Sequence, residues 1–166
     1  MSDPAQNEID MRAARRRWAS GVAVVLTNDG SRYRGATVTA FSVVSLNPPL
    51  VLICLDPAAR STGLIYNGRP FTLSVLERRH EVLAERFASR APLVDPYLTG
   101  VPHSPTATGT MVLDGALVWF DCTVQSKIEA GDHVIVIGAV TSAGLGDDTD
   151  DPLIYYEGRY RHLEVV

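Results

Sequence analysis

The strongest constraint on the fold is a succession of short apolar runs separated by tight-turn sequences. Runs rich in Val, Ile and aromatic residues are typical of strands, and Gly-containing turns between them are typical of hairpins. Such turns are predicted at Asn28-Asp29-Gly30, Asp114-Gly115, Ala130-Gly131-Asp132 and Glu157-Gly158. Because strands outnumber helices and most links have hairpin length, we expect a mainly β, antiparallel barrel or sandwich with a few helices.

The element boundaries follow from these patterns. The predicted strands are Val22–Thr27, Gly35–Ser42, Leu50–Leu55, Phe71–Leu76, Met111–Leu113, Gly115–Ile128, His133–Ala143, Leu153–Tyr156 and Tyr160–Val165. The predicted helices run from Ser2-Asp3-Pro4 to about Trp18, from a cap near Ser61, and over Glu77–Ala88. From Arg90 to Gly109 four prolines and no regular period predict a long loop, which is either a binding element or a surface excursion.

Composition narrows the class of protein. At 166 residues the chain is expected to form one domain over residues 1–166, with a helix or arm at 1–17. A net charge of −4 gives no electrostatic case for nucleic acid or an anionic membrane as a partner. The polar start and the shortness of the longest apolar run, Leu50–Leu55, predict a soluble, cytoplasmic protein.

The two cysteines, Cys54 and Cys122, have neither a disulfide pattern nor a metal-ligand spacing. Both lie in apolar, strand-like runs, so we expect buried free thiols, which suits a reducing compartment. The sequence also lacks a Gly-x-Gly-x-x-Gly fingerprint, a P-loop, a zinc-protease motif and a Gly-x-Ser-x-Gly elbow. We therefore predict no metal site, and neither Rossmann-type binding nor serine hydrolysis is supported.

One segment, Arg34–Pro49, is unusually rich in small side chains. It carries Ala36, Thr37, Thr39, Ala40 and Ser42 in one short run and ends at Asn47-Pro48-Pro49. Small polar residues on a strand leave room for a flat ligand and offer hydrogen-bonding groups to its edge. The segment therefore predicts a strand that is covered or flanked, either by a ligand or by another part of the structure.

Three further groups each allow a structural and a functional interpretation. Arg60-Ser61-Thr62 is most simply a helix cap at Ser61, but the same groups suit a phosphate. Gly131-Asp132-His133 is either a turn or a polar group that positions a second ligand. The triple arginine Arg15–Arg17 is either an anion site or, as we favour, a solvated helix face.

In order and spacing, these segments resemble one known family. They are ASGVAVVLT, the run G-x-T-V-T-A-F-S-V-V-S-L-N-P-P-L, Arg60-Ser61-Thr62, FTLSVL, Phe87, Gly131-Asp132-His133 and PLIYYEGRY. From about Trp18 to Leu163 the chain resembles the short-chain flavin reductases, the reductase partners of two-component flavin-dependent monooxygenases. The resemblance implies an NAD(P)H:flavin oxidoreductase that supplies reduced flavin to a monooxygenase component. It also implies a Greek-key split β-barrel and a homodimer, with FMN or FAD at the barrel flank near the dimer interface.

The resemblance also implies roles for individual residues. The implied cofactor-binding set is Thr37, Val38, Thr39, Ala40, Ser42, Ser45, Cys54, Leu55, Arg60, Ser61, Phe87 and Tyr160. Within it, the Thr37–Ala40 run would lie along the flavin ring, and Arg60 with two serines would contact the ribityl-phosphate part. His133 would meet the nicotinamide of NADH or NADPH, with Tyr160 a weaker candidate for the same side of the pocket.

The chain departs from the family pattern in the basic turn Arg32–Arg34, at Ala139 and in the proline-rich span after Phe87. These departures leave open the choice between FMN and FAD and that between NADH and NADPH. Two other classes also stay open. One is a non-catalytic flavin- or haem-binding split-barrel carrier or sensor, and the other is a β interaction module without a cofactor.

Overall fold

A computed structural model describes residues 10–88, 95–146 and 151–163. Its α-helices are α1 (Met11–Arg16), α2 (Arg60–Leu64) and α3 (Glu81–Phe87), and a 3₁₀ turn, Arg78–His80, precedes α3. Its strands are β1 (Ser20–Gly21), β2 (Ala23–Asn28), β3 (Tyr33–Val38), β4 (Phe41–Leu46), β5 (Pro49–Leu55), β6 (Pro70–Val75), β7 (His103–Pro105), β8 (Met111–Leu113), β9 (Val118–Ala130), β10 (His133–Leu145), β11 (Ile154–Tyr156) and β12 (Arg159–Arg161). The predicted mainly β fold with a few helices is confirmed.

A seven-stranded sheet in the order β3-β2-β6-β9-β10-β5-β4 dominates the molecule, and each neighbouring pair is antiparallel. Smaller sheets are formed by β1-β11-β12 and by β7-β8. The two longest strands, β9 and β10, form a hairpin with β-bulges near Gly138 and near Thr141, where the register shifts. Bulges bend a strand and increase its twist, so this hairpin curves the sheet.

The core lies on both faces of the sheet. Strand β2 shows this directly, because Ala23 and Val25 face one apolar cluster while Val24 and Leu26 face the other. The first cluster is built from the large sheet, and the second includes residues of α3, β8 and β11. A continuous apolar run is the pattern expected of a strand that is covered on both sides.

The helices differ from the predictions at their starts. Asp10 caps α1 by accepting hydrogen bonds from the N–H groups of Arg12 and Ala13, whereas the predicted start at Ser2-Asp3-Pro4 lies outside the described residues. The prediction that Ser61 caps the next helix is wrong. Ala59 holds the cap position without a side-chain bond, and Ser61 is buried inside α2.

The predicted strand Gly35–Ser42 is two strands. β3 ends at Val38, the chain bends at Thr39–Ala40, and β4 begins at Phe41. β4 then pairs with β5 in a hairpin that turns at Asn47-Pro48, and the ring of Phe41 packs on the first core cluster. The small residues therefore surround a bend between two parts of the sheet, and the prediction of one thin strand is wrong.

Part of the predicted long loop is ordered by a buried carboxylate. The β7–β8 hairpin carries Thr106 and Thr108, whose hydroxyls both donate to Asp121, at 2.7 Å from Thr106. Asp121 is 1% exposed, so these bonds replace the water that its charge would otherwise need. Residues 89–94 of the predicted loop lie outside the described residues.

Both cysteines are free, as predicted, but only one of them is buried. Burial, assisted by the charge of Asp121, raises the pKa of the Cys122 thiol to about 12. Cys54 is half-buried, because it lies beside a cleft, and burial also raises its pKa. Within the described residues, no helix is both long and apolar enough to cross a membrane.

Candidate functional site

A cleft of about 740 Å³ lies where β3, β5, α2 and α3 come together. Its volume is in the range of sites that hold a small organic ligand. The lining residues are Arg15, Arg34, Gly35, Ala36, Thr37, Val38, Thr39, Ala40, Cys54, Leu55, Asp56, Ala59, Arg60, Ser61, Phe87, Ala88, Pro96, Tyr97 and His133. Small side chains and backbone from the β3–β4 bend therefore form one wall of the cleft, and arginine side chains line other parts of it.

Gly35 allows α3 to lie directly against β3. A Cβ atom at Gly35 would lie 2.6 Å from Cε1 of Phe87, far inside a normal contact distance. The helix is fixed further by Thr37, whose hydroxyl donates to the carbonyl of Ala84 at 2.7 Å. The Thr37 proton is thus used within the fold, and the Phe87 ring borders the cleft because no side chain separates it from the strand.

The β3–β4 bend is joined to β5 through a backbone hydrogen bond. The N–H of Cys54 donates to the carbonyl of Ala40 at 2.9 Å, which joins the bend to β5. Leu55 at the end of β5 pairs with Val134, so His133 lies beside that end of the cleft. The end of β3, the end of β5 and the start of β10 therefore meet in one place.

The loop that leads into α2 is braced by Asp56. Its carboxylate accepts from the N–H of Ala58 at 2.8 Å, and its carbonyl accepts from the hydroxyl of Thr62 at 2.6 Å. The brace fixes the loop from which the exposed Arg60 and the buried Ser61 line the cleft. A guanidinium and a hydroxyl on successive residues are well suited to an anion such as a phosphate.

His133 carries a carboxylate partner at the same end. Its Nδ1 lies 2.8 Å from Oδ1 of Asp132, and its side chain is 44% exposed. The hydrogen bond and charge of His133 lower the pKa of Asp132, with a smaller contribution from Arg15. With Nδ1 turned to the carboxylate, Nε2 is the ring atom left to face a ligand.

Comparison with protein families decides which family the chain belongs to. The family model described as "Flavin reductase like domain" matches residues 15–164, nearly the whole chain. The chain belongs to the flavin reductase family. The predicted family membership is therefore confirmed.

Three relatives illustrate the range of the family. The chain is 37% identical to the "Actinorhodin polyketide dimerase" of Streptomyces coelicolor, over 92% of this chain and 85% of that protein. It is 34% identical to an "NADH-dependent flavin reductase" of a Rhodococcus species, over 99% and 91%. A solved NADH:FAD oxidoreductase from Streptomyces globisporus, in complex with NAD and FAD fragments, superposes with a TM-score of 0.83 at 30% identity, covering 99% of this chain and 96% of that one.

The residues of the cleft fit a flavin. Small side chains and exposed backbone at the β3–β4 bend leave space for a flat ring, and Arg15, Arg34 and Arg60 supply positive charge for phosphate. Among the described residues that line the cleft, Asp56 is the one carboxylate, and it braces its own loop. The donor set is thus cationic and neutral, as a phosphorylated ligand requires.

Most of the residues expected at the site meet in the cleft. Those that line it are Thr37, Val38, Thr39, Ala40, Cys54, Leu55, Arg60, Ser61, Phe87 and His133. Ser42 and Ser45 lie on β4 beyond the bend, outside the cleft lining, because β4 runs along the edge of the sheet. Tyr160 also lies outside it, since its ring packs at 5.5 Å from the ring of Tyr155 against the second core cluster.

Sequence reasoning missed several residues of the cleft. The sequence pattern favours a solvated helix face for Arg15. The residue is exposed, but it also lines the cleft, while Arg17 forms a 2.8 Å ion pair with Glu157. Arg34 and Tyr97 also line the cleft, although the sequence marks the basic turn and the proline-rich span only as departures from the family pattern. Neither segment carries a known sequence motif, so only the tertiary structure identifies these residues as part of the cleft.

Proposed function

We propose that this chain is an NAD(P)H:flavin oxidoreductase that transfers hydride from a nicotinamide to FMN or FAD. The reduced flavin then leaves for a partner flavin-dependent monooxygenase. The observation that carries the proposal is the meeting of small-residue backbone, Arg60 with Ser61, and His133 in one cleft. The names of the relatives agree with this activity, since they include flavin reductases and reductase components of monooxygenases.

The residues of the chain would divide the work along the cleft. When bound, the flavin supplies the hydride-accepting chemistry. Thr39, Ala40 and the backbone of Cys54 and Leu55 would lie along the ring. Arg60 and the hydroxyl of Ser61 would hold the phosphate. Phe87 would close the side of the cleft, exclude water there, and limit how the ring lies.

His133 would position the second substrate. It stands at the start of β10 beside the end of β5, and its Nδ1 faces Asp132. This contact fixes the ring orientation and leaves Nε2 for the carboxamide or ribose of a nicotinamide nucleotide. Alignment of the two reactants is the main contribution required from the protein, and no acid–base pair is needed for it.

The same site permits release of the product. The cleft would hold its ligand with neutral groups and partly exposed guanidiniums rather than with a closed network of buried ion pairs. Exposed ion pairs bind weakly and exchange readily. A reductase that supplies another enzyme needs this reversibility.

We further propose that the domain is a single Greek-key split barrel that forms a homodimer in the cytoplasm. The edge strand β4 exposes Val43, Val44 and Leu46. An uncovered apolar sheet edge is a site of association in soluble proteins. A second copy of the chain, seated on β4, would cover these side chains, and sedimentation velocity would test for the dimer.

The test of the function is direct. Purified protein is mixed with FMN or FAD and with NADH or NADPH, and nicotinamide absorbance is followed in the presence and absence of oxygen. Turnover that depends on added flavin and on protein supports the reductase, and His162→Ala, on the exposed end of the chain, serves as a surface-histidine control for His133→Ala. Flavin binding without turnover would indicate the carrier or sensor instead, and no binding would indicate an interaction module.

A further inference from the structure

The basic turn and the proline-rich span meet at the start of β3. The guanidinium of Arg34 donates to the hydroxyl of Tyr97 at 2.8 Å and lies 4.8 Å from the centre of its ring. The backbones of these two residues also form an antiparallel bridge, and the N–H of Gly35 donates to the carbonyl of Pro96 at 2.7 Å. Both Arg34 and Tyr97 line the cleft.

Tyr97 is itself held firmly. Arg86, on α3, donates to the carbonyls of Asp95, Tyr97 and Thr99 at 2.9, 2.7 and 3.0 Å. Its guanidinium also forms a 3.2 Å ion pair with the carboxylate of Asp95. A guanidinium that satisfies three carbonyls fixes the segment, so Tyr97 orients Arg34 from a rigid support.

Arg34 retains the capacity to bind an anion. Its side chain is half-buried, and within the described residues it forms no ion pair with a carboxylate. Tyr97 accepts one of its five N–H donors, which leaves a planar fork for phosphate oxygens. The neighbouring Arg32 differs in this respect: it stacks at 3.6 Å on Tyr97, its charge acts on the carboxylate of Asp95, and it does not line the cleft.

The position of Arg34 matters for the length of ligand that the cleft accepts. His133, Leu55 and Ala40 meet near the end of β3, whereas Arg34 stands near its start. The four residue-to-residue steps of extended strand from Arg34 to Val38 already span about 13 Å. Arg60 with Ser61 suits the single phosphate of a mononucleotide, so Arg34 is a further cation of the cleft that suits a second phosphate.

We propose that Arg34, oriented by Tyr97, binds the diphosphate of an adenine dinucleotide, so that this cleft distinguishes dinucleotides from mononucleotides. The inference rests on the proposed reductase function and deepens it. The shared chemistry is an adenosine diphosphate group, which either FAD or NADH can bring to the cleft.

The experiment compares Arg34→Gln with Arg32→Gln as the matched control. Dissociation constants for FAD, FMN and ADP-ribose are measured by flavin fluorescence and calorimetry. Michaelis constants are measured for NADH and for reduced nicotinamide mononucleotide. Arg34→Gln should weaken ADP-ribose binding about tenfold, the loss expected for one charge-assisted contact to phosphate. Arg32→Gln should change it less than twofold.

The two sources of the diphosphate give different patterns. If FAD brings it, Arg34→Gln weakens FAD about tenfold and FMN hardly at all. If NADH brings it, the ratio of the FAD and FMN dissociation constants stays unchanged. The Michaelis constant for NADH then rises relative to that for reduced nicotinamide mononucleotide. Tyr97→Phe, which removes the hydroxyl contact but keeps the ring, should reproduce part of the same loss.

Circular dichroism and thermal denaturation first show that Arg34→Gln is folded. The proposal is overturned if this variant leaves three quantities unchanged: the affinity for ADP-ribose, the ratio of the FAD and FMN dissociation constants, and the ratio of the Michaelis constants for NADH and reduced nicotinamide mononucleotide. An equal loss for FAD and FMN without a change in ADP-ribose affinity also overturns it. Failure of the reductase function looks different, because wild-type protein would then bind flavins without oxidising NADH. The effect of Arg34 on the binding constants would still be measurable in that case.

Discussion

The ring of Phe87 packs directly against the α carbon of Gly35. A Cβ atom on residue 35 would lie 2.6 Å from Cε1 of Phe87, so the strand and the helix can touch only because residue 35 has no side chain. This contact sets the distance between β3 and α3, and therefore the width of the cleft on that side.

Gly35→Ala should destabilise the protein by about 1–3 kcal/mol and weaken flavin binding, because the added methyl displaces the Phe87 ring. Urea unfolding and flavin fluorescence measure the two effects. Gly63→Ala is the control, since no atom lies within 4 Å of its Cβ position and alanine favours the helix. Combining Gly35→Ala with Phe87→Ala should recover part of the loss, and strict additivity would contradict the contact.

Arg60→Gln should weaken FMN binding about tenfold and leave riboflavin binding within twofold, because riboflavin lacks the phosphate. Fluorescence titration gives both constants. Arg159→Gln on the exposed β12 controls for the loss of one positive charge. Similar losses for FMN and riboflavin would place Arg60 against the ring instead of the phosphate.

His133→Asn should raise the Michaelis constant for NADH at least fivefold, while the flavin dissociation constant stays unchanged. The expected reason is loss of the Nε2 contact to the nicotinamide nucleotide. Asp132→Asn should give a smaller rise, since it alters only the group that orients His133 at 2.8 Å. Weaker flavin binding with an unchanged Michaelis constant would contradict this division of roles.

The two thiols should differ in reactivity at pH 8. Because the pKa of Cys122 is raised to about 12, it is protonated and inert, whereas the half-buried Cys54 lines the cleft. With a coloured disulfide reagent we expect one accessible thiol in native wild-type protein, none in Cys54→Ser, and two in urea. Bound flavin should slow the reaction of Cys54, and preferential labelling of Cys122 would contradict the structure.

Asp29 should contribute to the free energy of unfolding at neutral pH, and acid should remove this contribution. Its Oδ1 accepts from the N–H groups of Arg32 and Ser31 at 2.9 and 3.1 Å, and these bonds lower its pKa to about 2. A carboxylate with a lowered pKa stabilises the fold above its unfolded pKa of about 3.9 and loses this effect as the pH falls through about 2. Urea unfolding of wild type and Asp29→Asn should therefore differ at pH 6 and converge towards pH 2, and a difference that widens in acid would refute the assignment.

The sequence by itself determined the class of fold, most element boundaries and ten of the residues that line the cleft, along with the family. Strand and turn patterns are local, since they depend on alternation, β-branched residues and glycine within a few positions. The motifs around Thr37, Ser61 and His133 are likewise short and contiguous, which is why they could be read without coordinates.

Tertiary structure alone decided where the run of small residues bends and which distant groups it meets. The break at Thr39–Ala40 follows from the pairing of β4 with β5, and no local signal separates it from a continuous strand. The join between Arg34 and Tyr97 spans 63 positions, and Tyr160 faces a core ring rather than the cleft. Such contacts depend on how the curved sheet brings remote segments together, and the free energy of that packing is not written in any one stretch of the chain.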